Sequence, residues 1–210
     1  PLYNLSSSLR LKGQLDLPAL NQTFNEIVRR HETLRTVFPV VGGQPRQRIL
    51  PATNRTLPVK DLRQLPPAAR EAEAVRLAGE EARRSFDLAE GTLLRVTLLQ
   101  LEDDDYALLC TMHHIITDGW SISILIEELM AHYQMFVEGN FSPWPELAIQ
   151  YADYAYWQRQ WLTGVTIEKQ LSYWKQQLEG VNHKLDLPIA RPRPSVQTFN
   201  GATHFWTISA

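Results

Sequence analysis

Residues 106–126 read Tyr-Ala-Leu-Leu-Cys-Thr-Met-His-His-Ile-Ile-Thr-Asp-Gly-Trp-Ser-Ile-Ser-Ile-Leu-Ile. The aliphatic run from Tyr106 to Met112 is short and reads as a buried strand. From Ile122 the apolar positions change period: Ile122, Leu125, Ile126, Leu129, Tyr133 and Phe136 recur at helical spacing, and Gly139 closes the helix. Between strand and helix lie two imidazoles, a carboxylate and a glycine. A second aliphatic run, Thr92 to Leu101, precedes the first across the acidic turn Glu102-Asp-Asp-Asp105, so two adjacent central strands are expected.

Upstream, Leu5, Leu9 and Leu11 lie on one face of a half-buried strand that ends at Gly13. Asp16 is the N-cap of a helix with Pro18 in its first turn, and Leu17, Leu20, Phe24, Ile27 and Val28 form its apolar stripe. Leu34–Phe38 and Arg46–Leu50 flank Gly42-Gly43 as a hairpin. Pro66 to Arg84, rich in Ala, Glu and Arg, reads as a solvated helix. Two aromatic-rich helices follow, around 151–161 and 167–178. Leu187 to Pro194 carries three prolines and should be extended. Strands and helices both occur along the chain, and one or two globular layers are expected.

Composition narrows the function. With 210 residues, 44% of them hydrophobic, the chain can bury a core. A net charge of -2 and scattered Lys and Arg give no nucleic-acid footprint. The single cysteine, Cys110, allows no internal disulfide and fits a reducing compartment, with the cytoplasm as the expected location. No apolar run is long enough to span a bilayer. The start without Met and the end in a strand-like run, His204 to Ser209, suggest a piece of something larger.

The chemistry concentrates at 113–119. Imidazole exchanges protons near neutral pH, so a histidine there suits a general base. Neighbours in an extended segment point to opposite sides, so only one of His113 and His114 faces a given cavity. Asp118 can cap the following helix or pair with a distant arginine. Gly119 permits an unusual backbone angle or close approach of a ligand, and the helix N-terminus offers N–H donors to an oxyanion. Adjacent histidines seldom chelate one ion, which argues against a metal. The absence of a Gly-x-Ser-x-Gly elbow argues against a serine hydrolase. Cys110, in an aliphatic strand, reads as core rather than nucleophile.

Met112-His-His-Ile-Ile-Thr-Asp-Gly-Trp-Ser121 resembles the HHxxxDG signature of nonribosomal peptide synthetase condensation domains, which share a fold with chloramphenicol acetyltransferase. Five further segments agree in order. Tyr3-Asn4 with Leu9-Arg-Leu-Lys-Gly13 resembles the run after the family's first motif, and Arg30-His-Glu-Thr-Leu-Arg-Thr-Val-Phe38 resembles its second. Phe86 to Arg95 is similar to the lead into the central strands. Tyr151 to Trp157 with Tyr173-Trp174 is similar to the aromatic fourth motif, and Leu185 to Pro194 to the approach to the fifth.

The resemblance implies an α/β fold, an α+β two-layer sandwich with a central mixed sheet packed by helices, as an amino-terminal lobe over 1–185, then a linker and strand over 186–210 leading toward a missing carboxy-terminal lobe. It implies an acyltransferase that forms an amide between a carrier-bound aminoacyl or peptidyl thioester and the amine of a carrier-bound aminoacyl acceptor. Site residues carried over are His114, as base or amine-positioning group facing the tunnel between the lobes, with His113, Asp118 and Gly119 as its scaffold and Arg35 as the salt-bridge partner of Asp118. No cofactor or metal is bound directly; the substrates ride on the phosphopantetheine of upstream and downstream carrier domains, beside an adenylation domain. Trp120 ahead of Ser121 resembles domains that take an L-configured donor. The motif is neither replaced, as in heterocyclisation domains, nor degraded, as in recruitment domains. The rival readings are a stand-alone acyltransferase of the same fold and a non-catalytic recruitment domain.

Overall fold

A computed structural model describes residues 2–140, 144–182, 195–196, 198, 201 and 206–208. In chain order its elements are β1 (Asn4–Lys12), α1 (Leu17–Arg30), a 3-10 turn (Glu32–Arg35), β2 (Thr36–Val37), β3 (Val40–Val41), β4 (Gln44–Pro45), β5 (Arg48–Ile49), β6 (Val59–Asp61), α2 (Pro67–Arg83), β7 (Leu94–Gln100), β8 (Asp105–His113), α3 (Gly119–Val137), α4 (Tyr151–Trp161) and α5 (Gly164–Gln177). They fall into two compact units, Tyr3–Arg159 and Gln160–Ala210. The expected boundary at 185 lies outside the described residues, as does most of the expected linker and strand at 186–210.

In the first unit the aliphatic runs pair as expected. β7 and β8 are antiparallel neighbours, from Leu94 opposite Met112 to Gln100 opposite Tyr106. β1 pairs antiparallel along the whole of β8, from Asn4 opposite His113 to Lys12 opposite Asp105. β6 joins β7 in parallel, and the sheet order is β1-β8-β7-β6. Parallel neighbours require a crossover, and α2 supplies it. The hairpin forms too: β2 pairs β5, β3 pairs β4, and Gly42 and Gly43 take φ of 60° and 77°, as a primed turn demands.

The period-2 alternation of β8 sends its side chains to two different cores. Ala107 and Leu109 pack with Leu99, Leu101 and the α2 residues Ala74 and Leu77. Tyr106 and Leu108 face Leu20 and Phe24 of α1, and Cys110 and Met112 face Ile27, with Leu125 and Leu129 of α3 against the same layer. Helices thus cover both faces, so the two layers expected within the α/β class become three. The helix expected to be merely solvated is the reason. Ala74 and Leu77 fall on one turn of α2 and are buried, while its remaining surface is charged.

The caps follow the sequence. Asp16 Oδ1 accepts from the Ala19 N–H at 2.8 Å and Pro18 sits in the first turn. Cys110 is buried, and burial pushes its thiol up to about 11, as befits a core residue. In the second unit, α5 starts at Gly164, whose φ of 49° suits glycine, and carries the Tyr173–Trp174 pair with ring centroids 5.3 Å apart.

Candidate active site

β8 ends at His113, and a turn closed by the Ile116 N–H donating to the His113 carbonyl at 3.0 Å leads to the N-terminus of α3. The His114 N–H donates to the Tyr3 carbonyl at 2.8 Å, so this turn is tied to the strand edge as well. The two imidazoles then separate. His113 lies near Tyr3 and Phe86, with ring centroids 6.1 Å away in each case. His114 lines a cavity of about 460 Å³ bounded by the 113–121 loop, α3, the 3-10 turn and the start of α4.

Hydrogen bonds fix opposite tautomers on the neighbours. The Ile115 N–H donates to His113 Nδ1 at 3.1 Å, so in the neutral ring Nε2 holds the proton. Burial pushes the His113 imidazole below its usual range, favouring that neutral ring. His114 Nδ1 lies 2.8 Å from the Thr117 carbonyl. A carbonyl can only accept, so Nδ1 carries the proton and Nε2 of the neutral ring keeps its lone pair.

Asp118 is the N-cap of α3: its Oδ1 accepts from the Ser121 N–H at 2.8 Å and from the Ser121 hydroxyl at 2.7 Å. Those bonds hold its carboxyl below the usual carboxylate range. Of the two roles open to Asp118 in the sequence, capping is the one realised. The expected bridge to Arg35 does not form. Arg35 instead pairs with Glu32 at 3.2 Å and donates to the Leu50 carbonyl at 2.6 Å, staying within its own turn and the hairpin. Among the described residues its Nε is buried without a hydrogen-bond partner. The physical reason is local: Asp118 finds donors three residues ahead, and Arg35 finds acceptors on β5's flank. Gly119 opens α3 without a left-handed φ, so no unusual backbone angle is used; a Cβ there would meet nothing within 4 Å. Of the oxyanion donors that the helix start could offer, the Ser121 N–H is already engaged by Asp118.

Sequence reasoning missed another group on the same cavity. His31, between α1 and the 3-10 turn, lines it, and His31 Nε2 lies 2.7 Å from Glu128 Oε2 of α3. Glu128 is buried; its other oxygen meets Arg30 Nε at 3.2 Å. Arg30 in turn donates to the Pro145 carbonyl at 2.5 Å and stacks over Trp144, and His132 Nδ1 lies 2.8 Å from the Glu128 carbonyl. One signal was available. Glu128 and His132 share a helical face with Leu125 and Leu129, so polar groups on an apolar stripe mark a buried network.

The profile of the condensation-domain family matches residues 1–210. The chain belongs to this family. It is 49% identical over 200 residues to a linear gramicidin synthase protein of Brevibacillus parabrevis, covering 95% of the chain and 4% of that protein. It is 44% identical over 210 residues to the phosphinothricin tripeptide synthetase PhsC of Streptomyces viridochromogenes, covering 100% of the chain and 19% of that protein. Among solved structures, the X-domain from teicoplanin biosynthesis matches with a TM-score of 0.80 at 31% identity, over 92% of this chain and 42% of that one. The condensation-domain chain thus spans a small part of its curated relatives and under half of that structural neighbour.

Proposed function

We propose that this chain is the amino-terminal lobe of a peptide-bond-forming condensation domain, with residues 1–185 forming the lobe and 186–210 leading toward a second lobe. The reaction joins a carrier-bound aminoacyl or peptidyl thioester, of L configuration at the donor, to the amine of a carrier-bound aminoacyl acceptor. The observation that carries the reading is His114: its Nδ1 is committed to the Thr117 carbonyl, which leaves a basic Nε2 on a ring that lines the cavity. An attacking amine must shed a proton as the N–C bond forms, and the departing thiolate takes one up. A neutral imidazole serves both steps, and no covalent enzyme intermediate is required.

His113, Asp118 and Gly119 are scaffold in this reading. Asp118 holds the loop by capping α3, and Arg35 braces the 3-10 turn against the hairpin. The substrates arrive on phosphopantetheine arms of upstream and downstream carrier domains beside an adenylation domain, and the location is cytoplasmic. Relatives that are synthetases and synthases support this, and no helix among the described residues is long and apolar enough to cross a membrane. In the intact synthetase, His114→Ala should lower amide formation by about 10²-fold or more while carrier loading continues. Product formation at the wild-type rate would overturn the assignment. Purified 1–210 should not condense substrates, because one wall of the tunnel is absent.

A further inference from the structure

His31 is held more firmly than a surface histidine requires. A single amide, Gln150, grips the backbone on both sides of it: Gln150 Nε2 donates to the Arg30 carbonyl at 2.9 Å, and its Oε1 accepts from the Glu32 N–H at 3.1 Å. The His31 N–H closes α1 on the Ile27 carbonyl at 3.0 Å. Its ring is aimed by Glu128 at 2.7 Å. Glu128 is itself fixed by Arg30, so the carboxylate would be anchored in the core without His31.

A carboxylate accepts, so Nε2 of His31 carries the proton and Nδ1 of the neutral ring keeps its lone pair. Among the described residues Nδ1 takes part in no hydrogen bond, and the side chain is 22% exposed. His114 and His31 therefore stand on one cavity, each fixed through one nitrogen and each, among the described residues, with no hydrogen bond at the other. This is the arrangement of an oriented base, in which the second nitrogen is held by a partner that stabilises the imidazolium.

We propose that His31, oriented by Glu128, is a second catalytic base that takes the first proton from the acceptor's α-ammonium. This inference rests on the condensation reading. An α-amine has a pKa of about 8, so at pH 7 only about one-tenth is free to attack. The ammonium carries two protons that the amide nitrogen does not keep. His31 accepts the first and passes it to solvent through the open cavity, with Glu128 balancing the charge in between. The free amine attacks the thioester carbonyl and forms the N–C bond, His114 takes the second proton, and that proton goes to sulfur as the C–S bond breaks. Protons and electrons balance without any further reactant.

The test uses the intact synthetase and two acceptors on the same carrier: the α-amino acid, and its aminooxy analogue, whose nitrogen is unprotonated at neutral pH. His31→Gln keeps a donor to Glu128 but provides no base. With the amino acceptor at pH 7 the variant should be measurably slower, because water alone must then remove the first proton, and the loss should vanish by about pH 9, where the amine is already largely deprotonated. With the aminooxy acceptor it should match wild type at both pH values. An equal loss with both acceptors means that His31 only ties α1 to α3, and no loss with either means that it has no role; each result overturns the proposal. If His31→Gln does not fold, His31→Asn is held to the same criteria. His114→Ala is measured alongside. If it is inactive while His31→Gln is unaffected, this inference alone falls; if it too is fully active, the condensation reading falls.

Discussion

The two faces of the central sheet solve the problem of charge in opposite ways. Under α2 the buried layer is aliphatic, from Ala74 and Leu77 to Leu99, Leu101 and Leu109. Its charges stay outside that aliphatic layer: Arg10 bridges Glu71 and Asp105 and Arg70 pairs with Glu102 at the rim, while the mostly buried Arg95 pairs with Glu81. The exposed pairs at the rim add little to stability. Under α1 and α3 an aliphatic core of similar kind runs into a buried network of Arg30, Glu128 and His132. That network ends at His31, on the cavity that also holds His114. The first face is built for stability. On the second, buried charge aims a side chain at a cavity, a use that stability alone does not call for.

If that contrast is right, the largest effect should come from the buried network. Glu128→Ala leaves Arg30 buried without its carboxylate and should destabilise the chain by about 3–5 kcal/mol, read by denaturant unfolding. A loss below about 1 kcal/mol would mean that water or a neighbour replaces the pair, and the two faces would be less different than they look. On the aliphatic face, Leu77→Ala removes a buried side chain that only packs, and should cost about 2–3 kcal/mol with no change in the pH dependence of unfolding.

The smallest effect concerns His113. Burial lowers its folded pKa below the unfolded value of about 6.5, so the unfolded chain takes up a proton more readily. The contribution of this group to stability is therefore complete above about pH 6.5 and declines as pH falls through that value. Melting curves at pH 7.5 and 5.5 should show the decline, and His113→Gln should flatten it. An unchanged slope in the variant would show that His113 does not set it.

Much of this could be read from residues alone, because local rules decided it. The change of period between Met112 and Ile122 placed a strand-to-helix junction, Asp16 and Pro18 marked the start of α1, and Gly42-Gly43 marked a turn. The alternation rule separated His113 from His114, and the structure sends them to different surroundings. The partner of Asp118 was not legible. Its alternatives, a helix cap and a distant arginine, are equally good chemistry, and only the position of Arg35 relative to α3 chooses between them. The burial of one side of α2 was masked by its charged composition, since two small or aliphatic residues suffice to seat a helix on a sheet.

The sequence by itself determined the elements, the class of fold and the motif that carries His114, since these depend on spacing along the chain. Tertiary structure alone decided that His31 and Glu128, 97 residues apart, meet at 2.7 Å. Such pairing depends on how α1 and α3 pack across the same face of the sheet. It leaves in the sequence no more than a charged residue on an apolar stripe, whose partner only the packing can name.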